Sequence, residues 1–248
     1  MSGLSNNKYS IASDLVEFAE LLNSYKLISD SKSLYDASEK VRTGSNKDTW
    51  EYECNNIKFS IEGSVAGAIP SNIELLEVIF NIKIEGTYFD GKVLSNPLTK
   101  LEFDLELEGY DAKPAIFYAS WHLDKHIHKT GDNASTYCHP EYHLTFGGHK
   151  MEEKGDIFGD SLILPSPRIF HPPMDAILGI DFILHNYFPL LERKNLMTDS
   201  KYKEIISNSQ HRLWKPYYTS IASAWNDFPE INFDRNFSYK KLNPFLDL

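Results

Sequence analysis

Between Ser120 and Gly148 the chain reads SWHLDKHIHKTGDNASTYCHPEYHLTFGG, which holds His122, His126, His128, His139 and His143, five of the nine histidines in 248 residues. His149 follows directly. Imidazole titrates near neutrality, so such a stretch can move protons or bind a metal. Asp124 lies two residues beyond His122, and a carboxylate within reach of a histidine fixes its ring orientation. Two chemistries follow. In one, His122 and His143 exchange protons as general acid and base, Asp124 orients one of them, and His139 is a further candidate. In the other, His122, His143 and Asp124 ligate a divalent metal such as zinc, iron or manganese. The residues specify no cofactor beyond that metal. His122 and His126 do not suit one ion if they lie on a strand, where i and i+4 side chains are about 13 Å apart.

Other residues extend the candidate set. Arg168, in SPRIFHPPMD, follows the histidine stretch closely enough to reach the same surface and stabilise an anion. Asp175 in that segment reads as a first-turn helix charge with Arg168 as its partner. Asp181 and His185 are spaced as an i, i+4 pair. Cys138 adjoins His139, the arrangement of a thiolate with a neighbouring base, although neighbours in an extended loop point apart. Trp214 and its basic neighbours in QHRLWKPYY read as a packed indole with a solvated edge. The chain has two cysteines, Cys54 and Cys138, and no C-x-x-C. That excludes a disulfide framework and a cysteine-rich zinc site.

The run WHLD and the cluster CHPEYH resemble the TumE-like toxin ribonucleases of bacterial toxin–antitoxin systems. The resemblance covers residues 120–148. It implies histidine-bearing strands on a small sheet, phosphodiester cleavage, and catalytic roles for His122, Asp124, His139 and His143. It also implies a bacterial accessory protein of a toxin–antitoxin or phage-defence locus. Charge pulls against a nucleic-acid substrate: the net charge is −10 and the pI near 5.4, whereas polyanion binding relies on basic patches. The competing expectation is a non-catalytic subunit that docks a protein partner on a polar sheet face. No apolar run is long enough to span a bilayer and no leader pattern opens the chain, which gives a cytoplasmic expectation with no membrane contact.

The elements that must position these residues are legible from hydrophobic periodicity. Residues 11–28 carry Ile11, Leu15, Phe18, Leu22 and Tyr25 at helical spacing. Residues 29–48 are polar and read as a loop. From residue 55 to 148 the period is two: LEFDLELEG alternates without exception, and IKFSI, LEVIFNIKIEG, IFYASWHLDKHI and EYHLTF follow suit. This predicts a five-strand antiparallel meander with one apolar and one polar face. His122, Asp124 and His143 fall on the polar face. A hairpin centred near residues 132–134 would bring His122 near His143, and His126 near His139 or Pro140. FGG marks a turn. A proline-rich crossing (149–172) then leads to helices over 173–226, with Pro216 bending or dividing the second, and a surface tail over 227–248. The whole is expected to be a single α+β domain, residues 1–248, with the N-terminal and C-terminal helices on the apolar sheet face.

Overall fold

Alternating strands of this length must bury their apolar row, and the chain arranges them side by side to do so. The computed structural model describes residues 8–63, 68, 71–88, 93–112, 116–126, 139–153 and 168–246. The strands are β1 (Thr49–Glu62), β2 (Leu75–Thr87), the short β3 (Val93–Leu94), β4 (Leu98–Tyr110), β5 (Ile116–Lys125), β6 (Tyr142–Phe146), β7 (Ile169–Phe170) and β8 (Asn232–Phe233). The main sheet has the order β1-β2-β4-β5-β6-β7, and every neighbouring pair is antiparallel. The five long strands of the predicted meander are present, and two-residue β7 adds a sixth at the edge. Cys54, Ile82, Phe103, Leu123 and Leu144 form one transverse apolar row. One residue along, Glu53, Lys83, Glu102, Asp124, His143 and Phe170 form a row on the other face. Period-two geometry makes these assignments inseparable.

Helices flank the sheet. They are α1 (Lys8–Ser24), α2 (Lys32–Thr43), α3 (His149–Glu152), α4 (Ala176–Tyr187), α5 (Leu190–Thr198), α6 (Ser200–Ala222) and α7 (Tyr239–Leu242). Helix α2 corrects the loop expected at 29–48. Its buried stripe is Leu34, Ala37, Ser38 and Val41. The spacing is helical, but two of the four residues are small, so the stripe is hidden among charges. Helix α6 runs undivided through Pro216. The proline offers no N–H, yet buried Leu213, Tyr217 and Ser220 fasten the helix on both sides of it. The tail is not confined to the surface, because Phe237 and Leu242 are buried. It pairs β8 with β3 in parallel, and Ser220 Oγ donates to the Phe237 carbonyl at 3.0 Å.

Helix α4 approaches the sheet closely because of Gly179. A Cβ there would lie 2.7 Å from a Phe103 ring carbon and 2.9 Å from a Phe80 ring carbon. Gly179→Ala is therefore expected to lower stability by about 1–3 kcal/mol, as overpacking does elsewhere, despite alanine's better helix propensity. Urea unfolding of the two proteins checks this; equal or higher stability of the variant would remove the steric argument.

Beneath the helices lies a buried polar joint. Asp175 caps α4 by accepting from the Leu178 N–H at 2.9 Å, and its other oxygen accepts from Ser209 Oγ at 2.5 Å. Arg212 pairs with Asp14 and lies 3.7 Å from Asp175. Asn208 donates to Asp14 at 3.0 Å. The Tyr52 hydroxyl accepts from the Ala176 N–H at 3.1 Å. Asp175 stands at the N-cap of α4, one position before the first turn in which it is expected. Its cationic neighbour, however, is Arg212 from α6, a partner that sequence proximity could not show. Asp181 and His185 do pair, at 3.1 Å. The Trp214 indole packs against the core and donates to the Pro173 carbonyl at 2.9 Å.

Candidate functional site

The histidines sit where β5 and β6 pair. The pairing is Asp124 with His143 and His122 with Thr145. The register is centred within the expected 132–134, and His143 is offset by two positions from the residue opposite His122. Because the offset is an even number of positions, the face is unchanged, and His122, Asp124 and His143 share it. Next to them on β4, Asp104 lies beside His122 and Glu102 beside Asp124.

His122 and Asp124 form a couple, with Nε2 of the imidazole 3.5 Å from Oδ2 of the carboxylate. Their side chains are 21% and 38% exposed. A carboxylate so placed orients the ring and compensates its charge when it holds a proton. The other side of the ring rests on a glycine turn. Gly147 and Gly148 have φ of 93° and 80°, and a Cβ on Gly148 would lie 2.6 Å from His122 Nδ1. Ser120 locks this turn by donating Oγ to the Gly147 carbonyl and accepting the Gly147 N–H at its own carbonyl, at 2.5 and 2.8 Å. The expectation that FGG marks a turn is met, and the positioning of His122 is its consequence. Gly148→Ala is expected to displace the His122 ring and to cost about 1–2 kcal/mol through its left-handed backbone. Imidazole chemical shifts and thermal unfolding read both effects; an undisturbed His122 resonance would sever the link.

His143 is different. It is only 4% exposed, and its Nδ1 lies 3.3 Å from the Pro140 carbonyl. If Nδ1 carries the proton, Nε2 is left as the acceptor. Burial is the main reason its pKa is lowered to about 4, with further contributions from His139, Arg168 and His122. Arg168 adds positive charge towards His143. Thr145, also on this face, is buried, and its Oγ1 has no hydrogen-bond partner among the described residues.

Sequence reasoning did not foresee how closely the imidazoles pack. The rings of His126 and His139 are 3.8 Å apart, and those of His139 and His143 4.7 Å. The proximity of His126 to His139 was legible from a hairpin register; the inclusion of His143 was not. Just outside the cluster, Lys125 pairs with Glu141 at 2.9 Å, both side chains being largely buried. Asn96 donates to Glu141 at 3.0 Å and accepts from the Tyr142 hydroxyl. Glu141 N–H donates to the Lys241 carbonyl at 2.7 Å, tying the C-terminal segment to this end of the hairpin.

Among the described residues no group of three or more His, Cys, Asp or Glu side chains is arranged to hold a metal ion. Cys138, His128, the hairpin loop 127–138 and residues 154–167 of the proline-rich crossing lie outside the described residues, as does the side chain of His149. Among the described residues no helix is long and apolar enough to cross a membrane.

Fold and site together define an α+β protein whose antiparallel sheet is packed by helices on one face and carries a histidine–carboxylate cluster on the other. No family model matches the chain, and neither a curated protein nor a solved structure matches it.

Proposed function

We propose that the β5–β6 face is an acid–base hydrolytic site that acts on a phosphodiester. The supporting observation is the His122–Asp124 couple at 3.5 Å on a partly open surface. His122 is the group that meets substrate and transfers the proton, and Asp124 orients it. His143, almost fully enclosed, acts through its neighbours as a positioning residue. Arg168 supplies the cation for a developing negative charge. Glu102, Asp104 and Glu106 line the adjoining strand on the same face, and these carboxylates favour a small phosphodiester over a long polynucleotide, whose affinity depends on many cationic contacts. The placement in a bacterial toxin–antitoxin or phage-defence locus rests on the resemblance of residues 120–148 and on composition.

The test is hydrolysis of bis(p-nitrophenyl) phosphate, dinucleotides and cyclic nucleotides by wild type and by His122→Ala and Asp124→Asn. His122→Ala is expected to lower kcat/KM by about 10²–10⁴-fold, the range typical of a lost general acid or base. Asp124→Asn is expected to lower it less, and both variants should unfold like wild type. A wild type inert towards all three substrates, or a His122→Ala variant with undiminished rate, would end this reading.

A second reading has its own observation. Phe146, Ile169 and Phe170 are exposed at the β6–β7 edge of the sheet. Such an edge suits a protein partner, and in this reading the polar face is a docking surface without catalysis. Affinity capture with wild type and Phe170→Asp separates the two: a partner lost on substitution, together with no hydrolysis by wild type, favours docking.

A further inference from the structure

We propose that the second half of β1 is a self-docking edge, at which two copies of this chain join their sheets antiparallel about a two-fold axis at Ser60. The inference concerns the edge of the sheet remote from β6 and β7, and it holds whether or not the β5–β6 face is catalytic.

Strand β1 ends the sheet order, so among the described residues one of its sides has no strand beside it. Gly63 N–H donates to the Glu74 carbonyl at 2.8 Å, continuing the register that pairs Glu62 with Leu75. The backbone of Gly63 therefore faces β2. In an antiparallel pair the main-chain groups of successive residues point to alternate sides. Those of Glu62, Ser60 and Lys58 thus point outward. The first half of β1 is guarded by α2: Ser33 Oγ accepts the Asn55 N–H at 2.8 Å, and Lys40 pairs with Glu51 at 3.3 Å. The bulge between Cys54 and Ile57 closes that stretch, and residues 57–62 beyond it contain no proline.

Charge complementarity names the occupant. Lys58, Ser60 and Glu62 are exposed, while Ile57, Phe59 and Ile61 between them are buried. A lysine on a strand edge ordinarily guards it against pairing. Here Lys58 and Glu62 have opposite signs and flank Ser60 symmetrically. In an antiparallel pair centred on Ser60, each Lys58 stands opposite Glu62 of the other copy, on one face of the joined sheet, and opposite charges so placed attract. The outward main-chain groups of the three residues then face one another and can exchange hydrogen bonds. Phe59 falls opposite Ile61 of the other copy, so the apolar row continues from sheet to sheet. A slip of one residue would oppose Ser60 to Ile61 and break this match.

A second observation lies in the helical layer. Phe188 packs edge-on against Phe59, with ring centres 6.0 Å apart. Leu190 and Leu191 follow within three residues, at the start of α5, and are 63% and 86% exposed. They therefore lie close to the same stretch of edge, where a second copy would withdraw them from water. Exposed leucines beside a bare strand edge invite open-ended association. A two-fold pair avoids that outcome, because each copy closes the edge of the other.

Sedimentation equilibrium of the full chain at pH 7 tests this, in about 0.15 M salt to screen the repulsion between two chains of net charge −10. At about 0.5 mM the mass is expected to be twice the 28.5 kDa of one chain, falling to one on dilution. Lys58→Glu sets like charges opposite each other at both symmetry-related places and should weaken the dimer by about tenfold or more. Lys58→Glu/Glu62→Lys restores the attraction with its polarity reversed, and should return the dissociation constant to within about threefold of wild type. Ser60→Pro removes an outward N–H and none directed at β2, so it should abolish the dimer while the sheet persists. Thermal unfolding checks that each variant is folded; should the proline variant not be, the charge variants decide. A wild type that stays monomeric overturns the proposal and leaves the edge to a strand of another protein. A dimer indifferent to Lys58→Glu, or a double variant no tighter than the single one, overturns it equally.

Discussion

Arg212→Met is expected to destabilise the protein by about 3–5 kcal/mol, the usual cost of removing one partner from a buried charged group. Arg212 lies between Asp14 and Asp175, and its side chain is 9% exposed while theirs are 7% and 5% exposed. Methionine fills much of the space and leaves the two carboxylates without their cation. The loss spreads through the fold because the joint binds α1, α4 and α6 to one another and, through Tyr52, to β1. Burial already holds the Asp14 pKa above its ordinary value in spite of Arg212. A carboxyl group whose pKa is raised in the folded state adds stability in acid and loses it as pH rises through the folded value. The variant is therefore expected to be penalised less at pH 5 than at pH 7. Arg212→Lys, which keeps the charge but loses the planar fork, should fall between. Urea titrations of all three proteins at both pH values supply the check; a loss under about 1 kcal/mol for Arg212→Met would mean that the pair is dispensable.

Acidification is expected to remove about 3 kcal/mol of stability through His143 alone. Its pKa is lowered from 6.5 to about 4 in the folded chain. Between those values the unfolded chain binds the proton and the folded chain does not, so protons favour unfolding. The contribution is intact above pH 6.5, declines as the pH falls towards 4, and is fully lost below it. The interval of about 2.5 pH units, at about 1.4 kcal/mol each, gives the stated loss. His143→Phe removes the titration while retaining a ring in the buried site. It should forfeit about 1 kcal/mol at pH 7 for the Pro140 hydrogen bond and lose less than wild type between pH 7 and pH 4. Parallel slopes for the two proteins over that range would show that His143 does not carry the acid sensitivity.

These two effects differ in how far a reader of the sequence could have foreseen them. His143 could be placed on the polar face beside Asp124, because LTF and WHLD alternate and a sheet has only two faces. Its enclosure could not, since that depends on what lies over the strand pair. The buried joint was half visible. Asp175 shows itself as a helix-start residue, but Asp14 and Arg212 are separated by 198 positions and carry no local sign of each other. The reverse holds for α2, where the information was local but weak: Ala37 and Ser38 occupy buried positions that hydrophobicity alone does not mark.

What the sequence determined by itself is the face on which each strand residue lies. Alternation fixed the apolar rows, the polar rows and the company of His122, Asp124 and His143, because burying an apolar row leaves a strand one orientation. The tertiary structure decided distance and depth. It set Asp124 rather than His122 opposite His143, rested His122 on Gly148, enclosed His143, and stacked it with His139 and His126. Those outcomes depend on how strands, turn and C-terminal segment pack together, and such contacts arise only when residues remote in the chain compete for the same space.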